Sequence, residues 1–527
     1  MNLLHPFYEH ALQHPDDLAL WIDEEEISYG ELCTQICAVA RWIVQSRQGE
    51  TVPKVGILAG RSLTAYVGIL AATYAGATYV PLNFKAPPHY LSDLLKKAQI
   101  DILIVDNTGL DLIASADMSH LPERILSPYD QPKGESLPEI ATGAAFKASS
   151  EWVPPHTVAP EDYAYLLFTS GSTGTPKGIN VSVANASHLL TTLQQRYQFD
   201  VNDRLSQAFE LTFDLSVFDI FMALRCGASL HVVPDALMPM PARFIQKQEL
   251  TSWFSVPSMI GMLKQMKLLR PHAFPSLRLS LFCGEALPEE SVTAWKVAAP
   301  NSRIENLYGP TEATVACLLQ ECTTPDCVTP DRGIIAIGQP FPGLKAGIVD
   351  RELNFLPQGE RGELAIHGPQ VAPGYLNNPQ LSAQRFPILN HPEIGKSRWY
   401  LTGDLAYKDH HERYHFLGRV DNQVQLRGYR VELDEIEAHL RSVSGCDNAV
   451  VVFIHNADVW AQEIIGVLPD NTIDKGEVRR RLSNRLPPYM IPKKIVICEE
   501  LPRNASGKID RKALAGRLSP PNVRTSQ

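Results

Sequence analysis

Long apolar runs are missing from this 527-residue chain. None approaches the roughly 18 consecutive apolar residues that a membrane helix needs, so a helical membrane protein is excluded. The start, Met1-Asn-Leu-Leu-His-Pro6, has no basic segment followed by an apolar core, so no secretory leader is expected. Positive charge is in deficit: the net charge is -10, which argues against non-specific nucleic-acid binding. Cys-x-x-Cys pairs are absent among the nine cysteines, whose odd number does not suit a disulfide framework. Cys317, Cys322 and Cys327 are spaced by five, but no nearby histidine pair completes a zinc site. Reduced thiols in a cytoplasmic protein are therefore expected. Internal repeats and low-complexity tracts are also lacking.

What remains is the composition of an ordinary soluble globular protein, 44% hydrophobic and 20% charged. The chain is too long for one compact core and suits two to four structural units. Its most informative stretch is Leu166-Leu-Phe-Thr-Ser-Gly-Ser-Thr-Gly-Thr-Pro-Lys-Gly178. The apolar run Tyr163 to Phe168 reads as a strand. A loop with five hydroxyls, three glycines and Lys177 follows, then a helical pattern from about Ala184. Strand, Gly/Ser/Thr loop and helix in that order present backbone N–H groups to a phosphate. The loop is not a Walker A loop, because Pro176 precedes Lys177 and Gly178 follows it. In isolation such a run would equally suit a polar surface loop.

Strand and helix patterns alternate along most of the chain. Val55 to Ala59 and Ile100 to Val105 read as buried strands, with Ala65 to Tyr74 as a helix between them. Residues 128–160, rich in Pro, Ser, Gly and Glu, read as a surface connection. Arg278 to Cys283 and Arg303 to Tyr308 are strand-like, and each ends at a glycine-containing turn, where ligands of open α/β sheets gather. Residues 331–418 hold shorter β runs that suggest a small barrel or mixed sheet. The fold class is therefore α/β: a large N-terminal part (1–420) of stacked α/β subdomains with a small β-barrel-like portion. A small α+β domain (421–527) follows. In it, Val424 to Leu433 reads as a hairpin around Gly428, Leu433 to Val443 as a helix, and Leu486 to Pro492 as a rigid link.

Several blocks occur in a characteristic order: Tyr74 to Pro81, the Thr169–Lys177 loop, Phe213-Asp-Leu-Ser-Val-Phe218, Leu307-Tyr-Gly-Pro-Thr-Glu312 and Gly362-Glu-Leu-Ala365 with Gly374-Tyr375. Tyr400-Leu-Thr-Gly-Asp404, Gly418 to Glu437 and Asn504-Ala-Ser-Gly-Lys508 complete the series. In these blocks the chain resembles the adenylation domains of nonribosomal peptide synthetases and the related acyl-CoA synthetases and luciferases. The resemblance implies ATP- and Mg²⁺-dependent activation of a carboxylic acid to an acyl-adenylate, then transfer to a thiol. It also implies a small C-terminal domain that rotates between the two half-reactions about a hinge at Asp421.

Residue roles follow from the same resemblance. Lys508 matches the catalytic lysine and Glu312 the Mg²⁺ ligand, a hard carboxylate suited to that ion. Asp404 matches the residue that binds the ribose hydroxyls, Arg419 a second ribose contact, and Tyr308 the ring against adenine. Thr169, Ser170, Gly171, Thr173, Lys177, Gly284, Glu285, Gly309 and Thr311 complete the expected nucleotide site. Asp214 matches the aspartate that binds a substrate α-ammonium in amino-acid-activating members; capping of the following helix is its structural alternative. Leu215, Phe218, Ser255, Leu281, Cys283, Leu307, Val315 and Ala316 match the rest of the substrate lining.

Beyond Asp214 and Lys508 that lining is uncharged, and Phe218 and Leu307 take up volume, so a small apolar amino acid is expected. The lining is similar to that of free-standing L-prolyl-carrier-protein ligases. Ser255, Cys283 and Ala316 depart from it, and Phe282-Cys-Gly-Glu285 is also similar to D-alanyl-carrier-protein ligases. L-Proline is the favoured substrate and D-alanine the alternative. No Gly-Gly-x-Ser attachment site is present, so a separate phosphopantetheinylated carrier is the expected acceptor. Arg479, Arg480, Arg481 and Arg485 could face an acidic carrier or simply form a solvated surface. Neither a nucleic acid nor a membrane is an expected partner.

Overall fold

The computed structural model describes residues 1–47, 51–115, 118–130, 140–143, 151–171, 176–323, 326–330, 332–456, 461–470, 473–498, 500–502 and 509–518. The chain is a mixed α/β protein that divides into two compact units. The larger comprises Met1–Phe84, Leu91–Phe168 and Gly178–Val420; the smaller comprises Lys85–Tyr90, Thr169–Lys177 and Asp421–Gln527.

Among the described residues, the larger unit contains two extensive sheets. One has nine strands, in the order Gln339–Pro340, Leu318–Glu321, Arg303–Tyr308, Leu279–Phe282, Ser252–Ser255, Arg204–Gln207, Ser229–Val232, Leu18–Ile22 and Glu25–Ser28. Its centre is parallel: Phe254 pairs with Leu281, and Leu281 with Glu305. The other has seven strands, in the order Ile140–Thr142, Arg124–Ser127, Ile102–Val105, Lys54–Leu58, Thr78–Pro81, Tyr163–Thr169 and Lys177–Ser182. Sequence capping fixes the helices that cover these strands. Ser28 and Glu31 form a capping box on Tyr29–Gln45, as do Ser182 and Asn185 on Val183–Tyr197. Leu63–Tyr74 is apolar all round, and all but its first residue are buried.

The short β runs after residue 331 form an open four-stranded antiparallel sheet, Lys345–Val349, Gly362–His367, Tyr400–Lys408 and Tyr414–Arg419. A two-stranded ribbon, Ile388–His391 with Gly395–Arg398, accompanies it. Two expectations need correction. The glycine-rich loop does not lead straight into a helix: Lys177–Ser182 is a strand, and the helix starts only at Val183. Buried Gly178-Ile-Asn-Val-Ser182 extends the sheet beside Tyr163–Thr169, so a helix N-terminus does not adjoin the loop in sequence. Within the presumed surface connection of residues 128–160, Ile140–Thr142 is an edge strand, paired with Arg124–Ser127.

In the smaller unit, Val450–Asn456, Ala461–Leu468 and Lys494–Ile497 form a three-stranded sheet, and Gln423–Leu426 with Tyr429–Glu432 a hairpin. The hairpin turns at Arg427 and Gly428, with φ of 52° and 86°, the pair of left-handed residues that a two-residue turn needs. Helices Leu433–Ser444, Lys475–Ser483 and Arg511–Leu518 complete the described part. The first carries Asp434 and Glu435 in its opening turn and ends at Gly445, with φ of 68°. Among the described residues no helix is long and apolar enough to cross a membrane.

Candidate active site

Asp214 opens the helix Leu215–Arg225 at φ -64° and ψ -21°, and its side chain makes no capping bond. The capping alternative is thereby removed. Leu215 and Phe218 lie three residues apart on that helix and share a face. The Phe218 ring meets Phe254 edge-on at 5.4 Å and Tyr197 at 6.2 Å between centroids, which fixes its position. Phe254 pairs in register with Leu281, and Cys283 follows Leu281 by two residues along the same face. Leu215, Phe218, Leu281, Cys283, Leu307, Val315 and Ala316 all belong to one buried cluster.

Ser255 stands apart. It shares its side of the strand with Trp253, whose indole N–H donates to the serine Oγ at 2.9 Å, opposite the face of Phe254.

Three neutral groups feel the Asp214 charge. Burial pushes the Tyr79 and Tyr165 phenols and the Cys283 thiol upward, and Asp214 adds to the shift in each case. Tyr79 and Tyr165 come from neighbouring strands of the seven-stranded sheet, with ring centroids 5.6 Å apart. Asp214 is thus close enough to two phenols and a thiol to help keep them protonated. Sequence reasoning missed both tyrosines. Tyr79 lay in a recognised block and Tyr165 in the strand before the loop, but neither position signals its distant partner.

A second set of polar residues gathers around Asp404. Asp404 and Arg419 sit directly opposite each other on antiparallel strands, and Arg419 Nη1 donates to Asp404 Oδ1 at 2.8 Å. The same guanidinium nitrogen donates to the Thr402 carbonyl at 3.0 Å, and the Tyr308 hydroxyl donates to Asp404 Oδ2. Burial and the Asp404 charge hold the Tyr308 phenol well above its usual range.

Glu312 is 1% exposed and accepts at 2.8 Å from the hydroxyl of Tyr375. Its backbone carbonyl accepts from Ala372 N at 2.8 Å. Glu312 and Thr311 lie in the single helical turn Thr311–Ala313. Gly309 has a steric reason: a Cβ there would lie 2.5 Å from Ala316 Cα. Gly284 has φ of 89°, the left-handed region that suits glycine. Glu285 turns instead to the start of the helix Pro257–Gln265, where it accepts from Ser258 N at 2.8 Å.

After the Glu312 turn the chain is strained. Thr314 and Val315, both β-branched, have φ of 60° and 65°. Such residues cost on the order of 1–3 kcal/mol each unless the surroundings hold them.

Within the smaller unit, Thr169 ends its strand, and Ser170 Oγ donates to the Arg430 carbonyl at 2.8 Å and accepts from Glu432 N at 3.1 Å. Gly171 N donates to Glu435 Oε2 at 3.1 Å, and Lys177 Nζ to Glu432 Oε1 at 3.0 Å. Donors expected to hold phosphate are here met by carboxylates. Asp421 Oδ1 accepts from Gln423 N at 3.2 Å, as in a local turn. Arg480 and Arg481 are both tied to Glu477, at 2.8 and 2.7 Å, so one of the four charges of the predicted basic patch is offset within its own helix. Thr173 and Lys508 lie outside the described residues.

A family model described as AMP-binding enzyme matches residues 7–376, and its C-terminal domain model matches residues 435–508. The chain is 31% identical to an L-proline–[L-prolyl-carrier protein] ligase from Pseudomonas fluorescens, over 98% of this chain and 99% of the relative. It is 30% identical to a D-alanine–D-alanyl carrier protein ligase from Bacillus licheniformis, over 98% and 99%. Other matches are much longer: the chain spans 37% of delta-poly-L-ornithine synthetase from Acinetobacter baumannii, at 33% identity. Among solved structures it resembles a Vibrio cholerae adenylation domain in complex with glycyl-adenosine-5'-phosphate. The TM-score is 0.87 at 30% identity, over 98% and 97% of the two chains. The chain belongs to the AMP-binding enzymes, as an adenylation domain of the adenylate-forming superfamily working with ATP and Mg²⁺.

Proposed function

We propose that the chain activates a small, uncharged amino acid, L-proline first among the candidates, and loads it onto the phosphopantetheine thiol of a separate carrier protein. The observation that carries this reading is Asp214. It is a helix-start carboxylate that does not cap its helix, whose charge helps keep two phenols and a thiol neutral, on the helix that carries the apolar Leu215 and Phe218. A carboxylate in such surroundings favours a cation, and an amino acid brings its own ammonium. Phe218 is braced by Phe254 and Tyr197, so it yields little volume and suits a short or cyclic side chain.

In the first step the substrate carboxylate oxygen attacks the α-phosphorus of ATP, a P–O bond forms, and pyrophosphate leaves with the electrons of the broken bond. In the second the carrier thiolate attacks the acyl carbon, a C–S bond forms, and AMP leaves. Asp214 orients the ammonium. Asp404, held by Tyr308 and Arg419, accepts from the ribose hydroxyls. Lys508 supplies positive charge between the two reacting anions. Glu312 offers a hard oxygen to Mg²⁺, which neutralises phosphate charge when bound; one carboxylate beside a triphosphate is a usual way to hold that ion. Asp421 serves as the hinge that separates residues 1–420 from 421–527.

The resemblance to L-prolyl ligases in the Asp214–Val315 lining supports L-proline. The D-alanyl relative and the glycyl-adenylate complex favour a second reading, an acyclic small substrate. Amino-acid-dependent exchange of labelled pyrophosphate into ATP, with L-proline, D-alanine and glycine in parallel, decides. Exchange with L-proline is the expected result. Exchange with D-alanine or glycine alone replaces the substrate, and exchange with no amino acid refutes the reading.

A further inference from the structure

We propose that Gln370, seated on His188, is a positioning residue that sets amino-acid selection, an inference that rests on the reading above that Val315 and Ala316 border the substrate side chain. The segment from Ala313 to Ala316 would not hold its shape unaided. Thr314 and Val315 adopt φ of 60° and 65°, where a β-branched side chain crowds its own backbone. Something must keep them there, and Gln370 is placed to do so.

Gln370 is fully buried. Its Nε2 lies 2.7 Å from the Ala316 carbonyl and 3.3 Å from those of Ala313 and Thr314. Thr314 Oγ1 donates back to the Gln370 carbonyl at 2.7 Å. Three converging carbonyls admit only the NH₂ end of the amide, so the orientation of Gln370 is dictated by its partners. The other end, Oε1, is 3.1 Å from His188 Nδ1. An amide oxygen only accepts, so His188 must carry a proton on Nδ1.

His188 lies on the helix Val183–Tyr197, and Asn185 in its first turn donates to the Pro369 carbonyl at 2.5 Å. The helix thus grips residues 369 and 370, and Gln370 grips the strained segment. Without the amide, the buried carbonyls of Ala313 and Ala316 would need new partners, the Thr314 carbonyl would keep only Ala316 N at 2.7 Å, and Val315 would turn with them. The neighbouring Glu312 is held separately, by Tyr375 and Ala372. Loss of Gln370 should therefore disturb the amino acid more than the nucleotide.

Gln370→Met keeps the side-chain length and removes the amide. KM for the amino acid should rise about tenfold, the equivalent of one or two net hydrogen bonds, and the preference between small amino acids should flatten. KM for ATP should stay within about twofold, because the interaction lost belongs to one substrate only. His188→Gln retains a donor and should behave as the wild type. His188→Leu should shift the amino-acid KM in the same direction by less, and decides the matter if Gln370→Met does not fold. An equal loss of kcat for every amino acid, with KM unchanged, would overturn the inference and leave Gln370 as core packing. Val315→Ala tests the underlying reading separately: if it changes amino-acid preference while Gln370→Met and His188→Leu do not, only the role of Gln370 fails. If none changes it, the pocket reading fails.

Discussion

The two ends of the candidate site handle negative charge in opposite ways. Asp404 is held by two donors from the protein, Arg419 and the Tyr308 hydroxyl. Asp214 acts instead on Tyr79, Tyr165 and Cys283, which its charge helps to keep protonated. The first arrangement is stable as it stands and offers a ligand one more acceptor. The second favours whatever cation the substrate delivers, so its energetics are tied to substrate identity. On the proposed function, a site built this way would separate recognition of the shared nucleotide from recognition of the variable acid.

That separation can be broken by mutation. The largest effect is expected outside both ends. Lys508→Ala should lower pyrophosphate exchange by about 10²–10³-fold, the usual cost of removing a group aimed at transition-state charge. Retention of full exchange would show that neither end depends on that lysine. Next, Asp404→Asn removes charge-assisted bonds and should raise KM for ATP by about 10–100-fold. KM for the amino acid should remain near the wild-type value; steady-state kinetics with each substrate varied would reveal any coupling of the two ends.

The smallest effect on activity is expected at His231, which belongs to neither end. Burial pushes its imidazole down to about 4, and it sits between Ser229 and Gln248. The unfolded chain takes up this proton near pH 6.5, whereas the folded chain does so only near 4. The stability it contributes is therefore complete above pH 6.5 and lost as pH falls from there to about 4, on the order of 3 kcal/mol in all. Denaturant unfolding at pH 7 and 4.5 should show that loss, and His231→Gln should lessen the difference with exchange activity at pH 7 intact.

Much of this was legible in sequence because it is local. The strand Arg303–Tyr308 covers the residues that read as strand-like before a glycine-containing turn, and the hairpin around Gly428 follows from its turn residues. Asp214, Glu312 and Asp404 could be picked out because each lies in a short block. What escaped is long-range. The strand Lys177–Ser182, between the loop and the helix read from about Ala184, shows itself only through its sheet neighbour. Gln370 lies 54–57 residues from the carbonyls it holds, and its own neighbours, Pro369 and Val371, say nothing of them. Tyr165 ends up near Asp214 only because sheet and helix are packed together; no periodicity encodes that approach.

The most direct test of the division of labour is steady-state pyrophosphate exchange by Asp214→Ala, with amino acid and ATP varied in turn. Removing the ammonium's partner should raise KM for the amino acid by about 10²-fold or more, with KM for ATP essentially unchanged. An amino-acid KM equal to that of the wild type would mean that the substrate nitrogen is held elsewhere, and would contradict the account.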